Sequence, residues 1–227
     1  MGLSDCFQAS SGVERICNLG WEDLSENQVK RALHGFYFFS QKFVDNLRTA
    51  SNLYPEDDGI KSLMQEELNT DNLSPYNGVA DEGEAMDHDV FLRRVIQISG
   101  LSEEENEELF TKGKQYLEAM DQMPPEAQLQ CLVSCEDGGA IQMYSSVLKA
   151  QVLDSEDPAL QAFKHFLQKH VEFDNEEGAE AGHGTLVRKF EMEDKHIGPF
   201  WNHFADFLET LVYGEKAEEP AQATVSF

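Results

Sequence analysis

Apolar residues recur at three- and four-residue spacing along most of the chain, and no alternating run is long enough to predict a strand. Ser25-Glu26-Asn27-Gln28 is a capping-box pattern. It predicts a long helix over about 25–50 with Leu33, Phe36, Tyr37, Phe43, Val44 and Leu47 at helical spacing. Phe36-Tyr37-Phe38-Phe39 places aromatic rings on every face of that helix, which predicts burial on most sides or a pocket wall, core packing first. Pro55 and Gly59 mark a turn, and a second helix carries Ile60, Leu63, Met64 and Leu68 with the acidic pair Glu66-Glu67. Residues 69–83 hold Pro75, two glycines and three asparagines and read as a loop or a broken helix. Phe91, Leu92, Val95 and Ile96 make the next stripe, with His88 near its start and Gly100 at its end.

Leu101-Ser102 restarts the chain as a helix with Glu103 to Glu105 in the first turn, where the helix dipole favours anions, and Pro124-Pro125 stops it. Residues 126–136 read as helix, Gly138-Gly139 interrupt, and 140–153 resume. Asp157-Pro158 opens the helix that holds His170 and Asp174, and 184–191 continue beyond an acidic stretch. A last helix over about 198–213 has Pro199 near its first turn and Phe200, Trp201, Phe204, Phe207, Leu208 and Leu211 as its stripe. Residues 1–24, broken by Gly12 and Gly20, read as an irregular lead-in, and the polar tail from Glu215 as frayed. The sum is an all-α single domain over 1–227 with seven to nine helices.

Composition narrows the partners. A chain of 227 residues with 41% apolar content can bury one sizeable core. Lys plus Arg number 17 against 43 Asp plus Glu, a net charge of −26. Such a surface repels phosphate backbones and anionic membranes, so a small molecule is the expected partner rather than nucleic acid or lipid. No run approaches the ~18 apolar residues of a membrane span. The start MGLSDCFQAS is polar, without the basic and apolar regions of a signal peptide, and Cys6 stands where a myristoylation pattern wants Ser or Thr. Four cysteines then read as reduced thiols in a cytoplasmic protein, and Cys131 and Cys135 lack the second pair a structural zinc site needs. There is no P-loop, dinucleotide fingerprint or nucleophile elbow.

The stretch HVEFDNEEGAEAGH, residues 170–183, carries the candidate chemistry. His170 and Asp174 lie one helical turn apart, so imidazole and carboxylate share a face and can reach one metal ion. His183 follows across a segment with two glycines. A dinuclear iron or manganese site in a helical bundle needs carboxylates and imidazoles projected inward from several helices. The chain offers Glu66 or Glu67, then His88, then Glu136 beside the Gly-Gly break, then His170, Asp174 and His183. Three carboxylates against two divalent ions leave a charge near +1, which suits oxygen and an anionic substrate. Each residue alone reads more simply as a surface or capping residue; the ordered set favours a metal site. His34, His165, His196 and His203 are left as surface residues or neighbours of the site.

These pieces resemble the heme-oxygenase-like diiron oxidases and oxygenases. QEELNTDN with Glu67, GEAMDHDVFLRRV with His88, SCEDGGAIQMY with Glu136, and HVEFD with His170 and Asp174 follow the family's order over roughly residues 36–190. Two departures stand out. The family often places its first Glu seven residues before the His, a position occupied here by Asp81, with Glu84 one turn before His88. Its last His falls three residues after the Asp, where this chain has Glu177. An insertion that delays the ligand to His183 keeps the site charge near +1, and Gly178 and Gly182 let the chain fold back. The resemblance implies a heme-oxygenase-like helical bundle holding two Fe2+ ions, with O2 as co-substrate and an electron donor that the sequence does not identify. It implies oxidation or oxygenation of an amino acid, amine or fatty acid, with one iron site weak until substrate arrives. Phe36 to Phe39, Phe91 and Phe163 would wall a pocket for a tryptophan-type substrate cleaved to a nitrile. A homodimer is compatible with all of this.

Three rivals remain at this level. Cys135 beside Glu136 suits a thiaminase-like hydrolase of the same fold. His34 could ligate heme. A non-catalytic acidic interaction protein would bind no metal and would tolerate loss of His88, His170 and Asp174.

Overall fold

The computed structural model describes residues 11–175, 189–190 and 194–214. Among them are nine α-helices and no sheet, an all-α bundle. The helices are α1 (Ser11–Cys17), α2 (Glu26–Leu53), α3 (Asp58–Glu67), α4 (His88–Gln97) and α5 (Glu103–Met120). They continue with α6 (Pro125–Ser134), α7 (Ala140–Val147), α8 (Pro158–Asn175) and α9 (Asp194–Tyr213).

Helix α2 is the axis, touching α3, α4, α5, α6, α8 and α9. It begins where the sequence predicts, because both reciprocal bonds of the Ser25/Gln28 capping box form. Its aromatic run is buried on every face: Phe36, Tyr37, Phe38 and Phe39 all lie in the core. Burial of each such ring contributes roughly 1.5–3 kcal/mol, so a helix surrounded on all sides is the stable solution for this segment. Phe36 packs on Phe163 of α8 and Phe204 of α9, and Phe39 on Trp201 and Phe204 of α9. Ser102 and Glu105 form a second complete capping box at the start of α5.

Four boundaries differ from the sequence reading. The lead-in is not irregular: α1 and a 3-10 turn at Trp21–Asp23 precede α2. The physical reason is tertiary, since Gly12 lets the backbone of α1 lie directly against that of α9 at Trp201. Helix α9 starts at Asp194 rather than near 198 and carries Pro199 inside it. Residues 135–139 are not a gap but a π-turn joining α6 to α7. The segment 140–153 divides into α7 and a 3-10 turn, Gln151–Asp154. The frayed tail from Glu215, the stretch 184–188, and the residues Glu177 and His183 lie outside the described residues.

The loop between α3 and α4 positions the site. Thr70 and Met86 exchange both backbone hydrogen bonds, N–H to O at 3.2 and 2.9 Å, in an antiparallel bridge. That clasp brings the last residue of α3, Glu67, beside the first residue of α4, His88. Two side chains hold the loop down. Arg94 grips Glu84 with both terminal guanidinium nitrogens, at 2.7 and 3.0 Å, and donates to Val79 O at 2.8 Å. A ring nitrogen of His165 on α8 donates to Leu73 O at 3.1 Å.

Candidate metal centre

Three of the sequence-predicted residues converge. Glu67 and His88 are 7% and 6% exposed, and Glu67 Oε2 lies 3.1 Å from His88 Nδ1. His170 Nε2 lies 3.1 Å from the same His88 Nδ1. One ligand atom from each residue falls within 4.8 Å of the others.

Their partners decide where the ring protons sit. His170 Nδ1 is 2.7 Å from the carbonyl of Phe166, one turn back on α8. A carbonyl only accepts, so His170 carries a proton on Nδ1. His88 Nε2 is 3.1 Å from Asn72 Oδ1. The Asn72 amide is oriented by its Nδ2, which donates to Glu66 O at 3.3 Å. Its oxygen therefore faces His88, whose proton is on Nε2. In neutral rings, His88 Nδ1 and His170 Nε2 then both present lone pairs, to each other and to the Glu67 carboxylate. Three lone-pair donors facing one another at this distance form an arrangement that a metal ion among them would suit. Two imidazoles and a carboxylate form the donor set of non-heme Fe(II) sites with open positions, so the residues fit the ion that the family resemblance implies.

The remaining predicted ligands fall around this group. Glu136, half-buried in the π-turn, lines the same cavity of about 250 Å³ as Glu67, His88 and His170. Asp174 lies one turn beyond His170 on the backbone of α8; its side chain, like His183 and Glu177, is outside the described residues. Of the alternatives for the first ligand, Glu66 also lines the cavity but is exposed and accepts from Ser62 Oγ at 2.8 Å. Glu84 is occupied by Arg94, which holds its carboxyl down at about 2. Asp81 is exposed on the same loop, its backbone N–H bonded to Glu84 at 3.0 Å. Glu67 is the carboxylate that the fold delivers.

Searches against protein-family models, curated proteins and solved structures match nothing. The chemistry of the site therefore has to come from its own atoms.

Part of the cavity lining is apolar: Phe39, Phe43 and Val44 of α2, with the aromatic ring of Tyr144 of α7. The Tyr144 ring meets His170 nearly edge-on, centroids 5.2 Å apart. Phe36, Phe91 and Phe163 pack in the core and do not line the cavity. Cys135 lines it, but burial pushes its thiol well above the usual range, with the neighbouring Glu136 adding to the effect. A thiol held protonated is a poor nucleophile, which counts against the thiaminase-like rival. His34 is not a surface residue: it is fully buried, edge-on to Phe110 of α5 and away from the cavity. The residues hardest to anticipate are Asn72, Tyr144 and Trp201. Asn72 sits in a loop among other asparagines, and nothing in its spacing marks it as the partner of His88.

Proposed function

We propose that this chain is a non-heme iron, O2-dependent oxidase or oxygenase of the heme-oxygenase-like diiron type. It acts on a small amine or amino acid held in the cavity beside Glu67, His88 and His170. The observation that carries this reading is the meeting of three lone-pair donors with ring protons fixed on the far side of each imidazole. Glu67, His88 and His170 hold one ion; Glu136, with Asp174 from the same helix as His170, supplies carboxylates for a second. Bound iron supplies Lewis-acid and redox chemistry toward O2. The protein's part is to orient and exclude. Asn72 and the Phe166 carbonyl aim the two imidazoles, the usual role of groups bonded behind metal ligands. Phe39, Phe43 and Val44 keep water from the open side and offer an apolar surface to the substrate body. A tryptophan-type substrate cleaved to a nitrile is the narrower form of the proposal, resting on the aromatic walls Phe39, Phe43 and Tyr144.

The test is an anaerobic Fe(II) titration followed by an oxygen pulse, with and without candidate amines and amino acids. The expected result is more than one iron equivalent per chain and substrate-dependent oxygen consumption. Joint replacement of His88 and His170 by Ala should remove metal binding, and Asn72→Leu should weaken it by roughly 10–100-fold. Metal binding unchanged in the double variant would overturn the site.

A further inference from the structure

The turn that carries Glu136 is built against the indole of Trp201. Where α6 ends, Ala140 N–H reaches back five residues to Cys135 O, the bond of a π-turn. Such a turn holds one more residue than an α-turn. Removing it would rotate what lies on one side relative to the other by about 100°. Two glycines permit it. Gly138 has φ +109, a conformation that L side chains rarely adopt. At Gly139 a Cβ would stand 2.5 Å from Trp201 Cζ2 and 2.6 Å from Ser134 O, so the indole of α9 lies directly on the backbone of the turn.

The same indole is tied to the residue just before the turn. Trp201 Nε1–H donates to Ser134 Oγ at 3.1 Å, and Ser134 Oγ–H donates to Cys131 O at 2.8 Å. Cys131 O also accepts the N–H of Cys135, the first residue of the turn. Trp201 itself has no freedom to follow a moving partner. It is 0% exposed, its ring packs on Phe39 at 5.7 Å, and its backbone is met by Gly12 of α1. The turn is the element that must adapt.

Building on the metal-site reading above, we infer that Trp201 is a positioning residue that sets the aim of Glu136. Its N–H fixes the last turn of α6 through Ser134, and its ring fills the place of a side chain at 139. Between them they select the π register in which Glu136 lines the cavity with Glu67, His88 and His170. Helix α9, which contributes no residue to the lining of that cavity, thereby controls one of its carboxylates through Trp201.

Two substitutions isolate the effect. Trp201→Phe keeps a buried ring and removes the N–H donor; Ser134→Ala removes its acceptor. Hydrogen–deuterium exchange is measured on peptides covering 135–140 in metal-free full-length protein, and Fe(II) affinity is measured beside a Glu136→Gln reference. Faster exchange is expected at 135–140 with 158–170 unchanged. The affinity loss should be at least tenfold and should fall on the equivalent that Glu136→Gln weakens. Exchange unchanged from the parent chain overturns the inference whatever the metal does. Faster exchange with a parental Fe(II) isotherm overturns it too, because the turn would then loosen without re-aiming Glu136. A parental protein that binds no Fe(II) at all sinks the metal-site reading instead, while the exchange comparison still decides whether Trp201 holds the turn.

Discussion

His34 shows what a buried titratable group does when no site claims it. Both ring nitrogens are buried, and among the described residues neither has a partner in good hydrogen-bond geometry; burial pushes the imidazole down to about 4 from 6.5, with a weak contact to the Asn106 side chain opposing in part and Arg31 adding to the drop. The folded state thus holds a neutral ring that the unfolded chain protonates below its ordinary value. A depressed folded pKa means stability that is complete above about 6.5 and is lost as pH falls toward 4. By pH ~4 this one residue should remove about 3 kcal/mol. His34→Leu should abolish that share. In urea titrations at pH 7 and pH 5 in EDTA, the variant should match or exceed the parent at pH 7 and lose less on acidification. Equal pH dependence of the two proteins would show that the ring is solvated in the folded state. The contrast with His88 and His170 is instructive: those rings have well-placed acceptors at 3.1 and 2.7 Å, and His34 has only the weak contact to Asn106.

At the scale of elements, close approach is set where a side chain is missing. Gly113 of α5 faces the Phe38 ring of α2, and a Cβ there would overlap it. Phe38 is hemmed in by Tyr37, Phe110 and Phe207, with centroids 4.8 to 6.3 Å away. Gly113→Ala gains up to about 1 kcal/mol of helix propensity but overpacks a filled interface, which typically costs 1–3 kcal/mol. A lower melting temperature is expected, and an unchanged or higher one would mean that α5 can slide along α2. The same distinction between local and tertiary causes explains what the sequence discloses. Helices α2 and α5 are legible because Ser25/Gln28 and Ser102/Glu105 satisfy their first turns with residues three positions apart. Helix α1 offers only Val13 and Ile16 as a stripe and exists because Gly12 docks on α9, a contact about 190 residues distant. Within the site, residue types and order are readable, but the choice of Glu67 over Asp81 or Glu84 depends on the Thr70–Met86 clasp and on Arg94. Those are long-range pairings that no spacing rule encodes. The π-turn is legible only as a Gly-Gly interruption, since its partner Trp201 lies on another helix.

Charge acts on the molecule as a whole. With 17 cations against 43 carboxylates, pairing every Lys and Arg still leaves 26 negative charges uncompensated. Several of the cations are spent where elements meet: Lys30 on Asp157 at the start of α8, Lys42 on Asp121 after α5, Arg15 on Asp206 and Glu209 across α1 and α9. Two opposed effects follow when salt is added. Exposed ion pairs weaken, but each is worth only about 0–1 kcal/mol. Repulsion among the surplus carboxylates also weakens, and it extends over distances comparable with the Debye length, about 10 Å at 0.1 M and 3 Å at 1 M. Because the surplus exceeds the number of pairs, repulsion wins, and the folded state, which concentrates the charge, gains more than the unfolded chain. Raising NaCl from about 0.02 to 0.5 M in EDTA should therefore raise the melting temperature, by about 2–4 °C for each kcal/mol of repulsion relieved. Tetramethylammonium chloride should act alike, which separates screening from sodium binding at carboxylates. A flat or falling melting temperature in both salts would mean that the ion pairs, not the surplus charge, set the electrostatic balance of this fold.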